Sequence, residues 1–135
     1  MDILSLLVGA VIALVSTIFT NYHKSKLDRE IKTREIKKQK CEDAFTYANS
    51  NFTNYMKSPN FWDTNDYSGA KLNMVVRFYL PSIQKETNEY NKALSDYFNM
   101  RLDKSNDANI VDNFMNKYKI LADAIVKESK KYDLI

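Results

Sequence analysis

From Ile3 to Thr20 the chain reads ILSLLVGAVIALVSTIFT, eighteen residues with no charge, no proline and hydroxyls only at Ser5, Ser16, Thr17 and Thr20. As a helix this run rises ~27 Å, close to the roughly 30 Å hydrocarbon core of a bilayer. Tyr22 falls at its edge, where an aromatic ring with a polar tip is favoured. A cleavable signal peptide would open on basic residues, use a shorter apolar stretch and close on small residues at a cleavage site. Here the opening is Met1-Asp2, and no Ala-x-Ala pattern follows the run. A buried core helix is the third reading, but so short a chain offers little structure to cover one helix on every side. The run is therefore expected to be a transmembrane anchor over residues 1–22.

Charge gives the anchor a direction. Between Asn21 and Lys40 there are eight basic residues against three acids, Asp28, Glu30 and Glu35, a local excess of five. Basic residues close to a spanning helix stay on the cytoplasmic side. The expected topology is N-terminus out, with everything after Tyr22 inside a plasma membrane of the bacterial inner-membrane type. Residues 41–135 carry twelve basic and thirteen acidic side chains. The formal +3 of the whole chain is thus mostly local, and the distal part has no general affinity for polyanions.

About 113 residues follow the anchor, enough for one compact domain. Gly9 and Gly69 are the only glycines, and Pro59 and Pro81 the only prolines. So few helix breakers predict few turns and long helices. Positions 21–57 read as one helix continuing out of the membrane. Its first half, a basic juxtamembrane stalk over 23–40, is polar nearly all round. Acids there stand four residues before bases at Asp28/Lys32 and Glu30/Arg34, the more stabilising order. Its second half places Cys41, Phe45, Ala48, Phe52 and Tyr55 on one face.

Ser58-Pro59-Asn60 ends that helix, because proline cannot continue the hydrogen-bond ladder. A loop carrying Phe61 and Trp62 runs to about Asp66. A second helix begins near Tyr67 and holds Leu72, Val75, Val76 and Tyr79. Pro81 either kinks it or opens a fresh start. The stripe resumes with Ile83, Thr87, Tyr90, Leu94 and Tyr97, widened by Phe98 and Leu102. Ser105-Asn106-Asp107 supplies N-cap chemistry for the last helix. That helix carries Val111, Phe114, Tyr118, Leu121 and Ile125, then Tyr132 after a gap at Glu128. The expected fold is all-α: the anchor helix, its stalk, and an antiparallel bundle of three helices, or four if Pro81 breaks one, over 41–135.

Catalytic chemistry finds little purchase. His23 is the only histidine and lies at the membrane edge, eighteen residues from Cys41 on the same predicted helix. That separation is roughly 27 Å along the axis, so within one chain the two cannot share a metal unless the helix bends sharply, and no Gly or Pro is there to bend it. Glu86 and Glu89 share a face but lack the histidine of a di-metal bundle and read as solvated surface acids. A nucleophile needs a positioned base, and two glycines cannot build a phosphate loop. Cys41 opens an apolar stripe and reads as a small buried hydrophobe. No enzymatic activity and no cofactor are expected.

Contact residues are easier to nominate. Ser5, Gly9, Ala13 and Thr17 recur at intervals of four, a small-residue stripe that lets two membrane helices approach closely. It nominates self-association or pairing with another membrane protein. Lys24, Lys26, Arg29 and Lys32 are placed to meet anionic lipid headgroups. Nucleic acid is disfavoured as a partner, since no aromatic from Lys24 to Lys40 offers a stacking platform. Phe61 and Trp62 either cap the bundle or form an aromatic anchor for a cytoplasmic protein. The expected function is a non-enzymatic, single-pass membrane protein presenting a helical interaction or regulatory module. The alternatives are a structural subunit of a larger membrane complex and a small membrane-perturbing effector.

Overall fold

With no proline before Pro59 and Gly9 as the one glycine there, little interrupts the first helix. In the computed structural model α1 runs unbroken over Ile3–Lys57. The structure describes residues 2–57 and 67–133, so the connection carrying Phe61 and Trp62 lies outside the described residues. Three further helices follow: α2 over Ser68–Tyr79, α3 over Gln84–Leu102 and α4 over Ala108–Lys130. No strand occurs among the described residues. The chain divides into two compact units, 1–35 and 36–135.

The first unit is the N-terminal part of α1. Asp2 starts it, its Oδ1 accepting the Leu4 amide at 3.3 Å and satisfying one of the donors a helix start leaves free. The described residues of this unit are exposed throughout. Its eighteen-residue apolar window is long and apolar enough to cross a membrane, and none of it is buried.

The second unit folds around one shared core. Cys41, Ala44 and Ala48 of α1 meet Leu72, Val75 and Val76 of α2, Tyr90, Ala93 and Tyr97 of α3, and Phe114, Leu121 and Ile125 of α4. Ala44 and Ala48 are almost completely buried on the α1 side of this core. Phe114 has Tyr97 at 4.8 Å, Phe52 at 5.1 Å and Tyr90 at 5.7 Å between ring centroids. Tyr118 stacks on Phe52 at 4.1 Å with the planes only 5° apart. Such pairs add ~0.5–1.5 kcal/mol each beyond the area they bury.

Contacting residues run in opposite senses along α3 and α4. Tyr97 and Tyr90 of α3 meet Phe114, while Glu89 pairs with Lys117 at 3.4 Å further along α4. The same holds for α1 against α4: Phe52 meets Phe114, Asn49 meets Tyr118, and Lys38 meets Asp133.

Pro81 does break the second predicted helix. Leu80 closes α2, its N–H still reaching Val76 O, and Pro81 opens a one-turn 3-10 segment, Pro81–Ile83, that leads into α3. Proline fits there because the first residue of a helical turn has no use for its N–H. α3 ends with Lys104 in the left-handed region at φ 52°. Lys104 N–H bonds Arg101 O and Ser105 N–H bonds Met100 O, both at 3.1 Å, the paired bonds of a Schellman motif. Asp107 then caps α4, its Oδ1 accepting the Asn109 amide at 2.9 Å.

The apolar stripes are corrected in four places, the first being Tyr79, which is 40% exposed in the last turn of α2. Phe45 was expected in the core, yet it is 41% exposed, because Ala44 rather than Phe45 faces inward on α1. Leu102 is 50% exposed, lying in the last turn of α3 where the chain leaves the core. Glu128, read as a gap, is buried with the core stripe at 6% exposure.

Candidate membrane-contact and interaction surfaces

In the first unit the sequence nominated two sets of residues. Ser5, Gly9, Ala13 and Thr17 lie along exposed α1, and a Cβ added at Gly9 would meet nothing within 4 Å. Nothing inside the chain therefore requires glycine at that position. The two threonine hydroxyls here are satisfied by the helix itself. Thr17 Oγ1 donates to Ala13 O at 2.9 Å and Thr20 Oγ1 to Ser16 O at 2.8 Å. A hydroxyl bonded back to its own helix needs no water, which suits a hydrocarbon environment.

Lys24, Lys26, Arg29 and Lys32 are all exposed. The expected ion pairs Asp28/Lys32 and Glu30/Arg34 do not close, and the salt bridges among the described residues begin only at Lys38. The reason is energetic: in water a long side chain gives up conformational freedom for an ion pair worth little. The cations of 24–34 are thus unpaired and available to an outside anion. His23 packs edge-on against Phe19, ring centroids 4.5 Å apart. Among the described residues no three His, Cys, Asp or Glu side chains gather in a way that could hold a metal. Phe61 and Trp62 lie outside the described residues.

The second unit contains polar features that periodicity did not reveal. Asn51 is buried on the inner face of α1, and its Oδ1 accepts the Tyr90 hydroxyl at 2.6 Å. Arg101 reaches from α3 to Tyr55 O at 2.9 Å and so satisfies a carbonyl in the last turn of α1. Glu86, read as solvated, is half-buried, and its Oε2 has no hydrogen-bond partner. Glu89 pairs with Lys117 across helices.

Around Glu128 a compact network forms. Its carboxylate accepts the Tyr132 hydroxyl at 2.8 Å and the Lys131 ammonium at 2.7 Å. Burial pushes its pKa upward, but the hydrogen bonds from Lys131, Tyr132 and Ser82 outweigh it and hold the carboxyl below the ordinary range. Burial is also the main reason the neighbouring Cys41 thiol is pushed up to about 11, with Glu128 and Glu42 adding to it. Tyr132 is pushed up to about 12, first by burial and then by its bond to Glu128. A buried, protonated thiol is a poor nucleophile. Lys37 lies over the Tyr132 ring at 5.6 Å, and Lys38 bonds Asp133 at 2.6 Å.

One shallow groove of about 440 Å³ lies beside this network, between α1 and α4. Cys41 and Phe45 line one wall, Ile125 and Val126 the other, with Glu42 and Lys130 at the rim. It offers mainly apolar contact area.

No family model, no curated protein and no solved structure matches the chain.

Proposed function

We propose that this chain is a non-enzymatic membrane protein that tethers a helical interaction module to the cytoplasmic face of a plasma membrane. Residues 1–22 anchor it, 23–40 form a basic stalk, and 41–135 fold as an antiparallel helical bundle that engages a cytoplasmic protein. One observation carries the reading: an uncharged eighteen-residue helical run, none of it covered by the rest of the chain, is followed directly by unpaired cations. Leaving so much apolar surface in water would be strongly unfavourable, at about 25 cal/mol per Å². Lipid is the solvent that removes this penalty. The self-bonded hydroxyls of Thr17 and Thr20 support it, as do Lys24, Lys26, Arg29 and Lys32 beside the run, where anionic headgroups would sit. The stripe Ser5, Gly9, Ala13 and Thr17 then offers a close-packing face to a second copy or to another membrane helix.

Cell fractionation tests the tether. The intact protein is expected to stay in the membrane pellet through an alkaline carbonate wash and to leave it only with detergent. A protease added to sealed inside-out vesicles should remove residues 41–135, while right-side-out vesicles protect them. Release by carbonate alone, or digestion with the opposite sidedness, defeats the proposal.

A further inference from the structure

Two charged residues line the groove between α1 and α4, Glu42 on one helix and Lys130 on the other. Both are exposed, and no ion pair among the described residues includes either. Beside them Phe45 and Val126 keep 41% and 45% of their surface exposed. The Lys38–Asp133 pair sets the register of these antiparallel segments. One turn in from that pair reaches Glu42 and Lys130, and a second turn reaches Phe45 and Val126. The two rims thus carry matching stripes: an acid and a large apolar residue on α1, a base and a smaller apolar residue on α4.

We infer that a second copy of this chain occupies the groove, paired face to face about a twofold axis that runs along it. Such an axis lays α1 of each copy over α4 of the other. Glu42 then meets Lys130 of the second copy and Phe45 meets its Val126, and each contact occurs twice. Charge selects this occupant, because the patch is its own complement. An axis across the groove would instead stack α1 on α1 and bring like charges together. The pair is also parallel: both copies enter it at residue 36 from the same end, as two chains inserted alike in one membrane require. The contact is small, and confinement to one membrane raises the effective concentration of the copies. In that respect the inference rests on the tether proposed above.

Charge exchange in the full chain tests the pairing. Every chain carries Gly9→Leu, to disable close packing through the stripe of residues 5–17. Energy transfer between fluorophores fused after Ile135 reports association in vesicles of phosphatidylcholine and phosphatidylglycerol. Chains with unaltered rims are expected to show transfer. Glu42→Lys alone, or Lys130→Glu alone, sets like charges together twice in the pair and should weaken association by at least about tenfold. Mixing the two variant chains restores both opposite-charge contacts, and with them the transfer. Circular dichroism of each variant confirms that these surface changes leave the helices intact. Transfer that neither reversal reduces overturns the pairing, as does transfer that mixing fails to restore or that unaltered rims never give. Protein that stays out of the vesicles defeats the tether alone, and sedimentation of the same series in detergent-free solution then decides the pairing by the same criteria.

Discussion

At the scale of single residues, Leu121 of α4 and Phe45 of α1 show how one position decides between core and surface. Leu121 is fully buried, whereas Phe45, its counterpart in an alternating pattern, has two-fifths of its surface in solvent. Leu121→Asp puts an unpaired carboxylate among Tyr, Phe and Leu side chains and is expected to abolish cooperative melting of the second unit. Phe45→Asp removes a groove wall and should lower stability by about 1 kcal/mol or less. Thermal melts followed by circular dichroism compare the two; equal losses would mean that Phe45 is packed after all. Asn51 shows the opposite case, a polar residue on the inner face. Hydropathy marks it as surface, yet its bond to Tyr90 satisfies it inside. A Cβ at Gly69 would come within 3.0 Å of Asn51 Nδ2, so the start of α2 is seated directly against this buried amide.

At the scale of elements, the helix ends carry the informative chemistry. Lys104 adopts a left-handed conformation that costs a residue with a side chain roughly 1–2 kcal/mol. Glycine avoids that cost but loses more entropy on folding. Lys104→Gly is expected to stabilise the second unit by up to about 1 kcal/mol, read as a raised melting temperature; a lowered one would show that the lysine side chain makes a compensating contact. The break at Pro81 and the cap at Asp107 were legible in the sequence because both depend on local backbone chemistry. The stripe of α4 was legible for the same reason, through its spacing of fours and threes. Phe45, Glu128 and Asn51 were not. Their environment is set by which neighbouring helix arrives opposite them, and a single helical period carries no record of that. The candidate contact residues were read from composition beside the apolar run.

At the scale of the whole molecule, the Glu128 network ties stability to pH at both ends. The Glu128 carboxyl is held below its ordinary 4.5, so its contribution is fully present above that value and is lost as pH falls through the lower folded value. Cys41 and Tyr132 are raised, from 9.0 to about 11 and from 10.0 to about 12. Their contributions are present below the ordinary values and are lost as pH rises toward 11 and 12. A melting profile of the detergent-solubilised chain should therefore fall on both sides of a broad plateau. Glu128→Gln should flatten the acid limb and Cys41→Ala the early part of the alkaline one. An acid limb unchanged by Glu128→Gln would assign it to other carboxylates.

The pairing of Lys38 with Asp133 also has a mechanical meaning. It brings the two ends of the second unit side by side, so tension applied between them does not shear the helices along their length. It pulls α4 away from α1 one turn at a time, starting at Tyr132 and Glu128. Loading in that direction breaks contacts in sequence, and the fold gives way at low force however stable it is to heat.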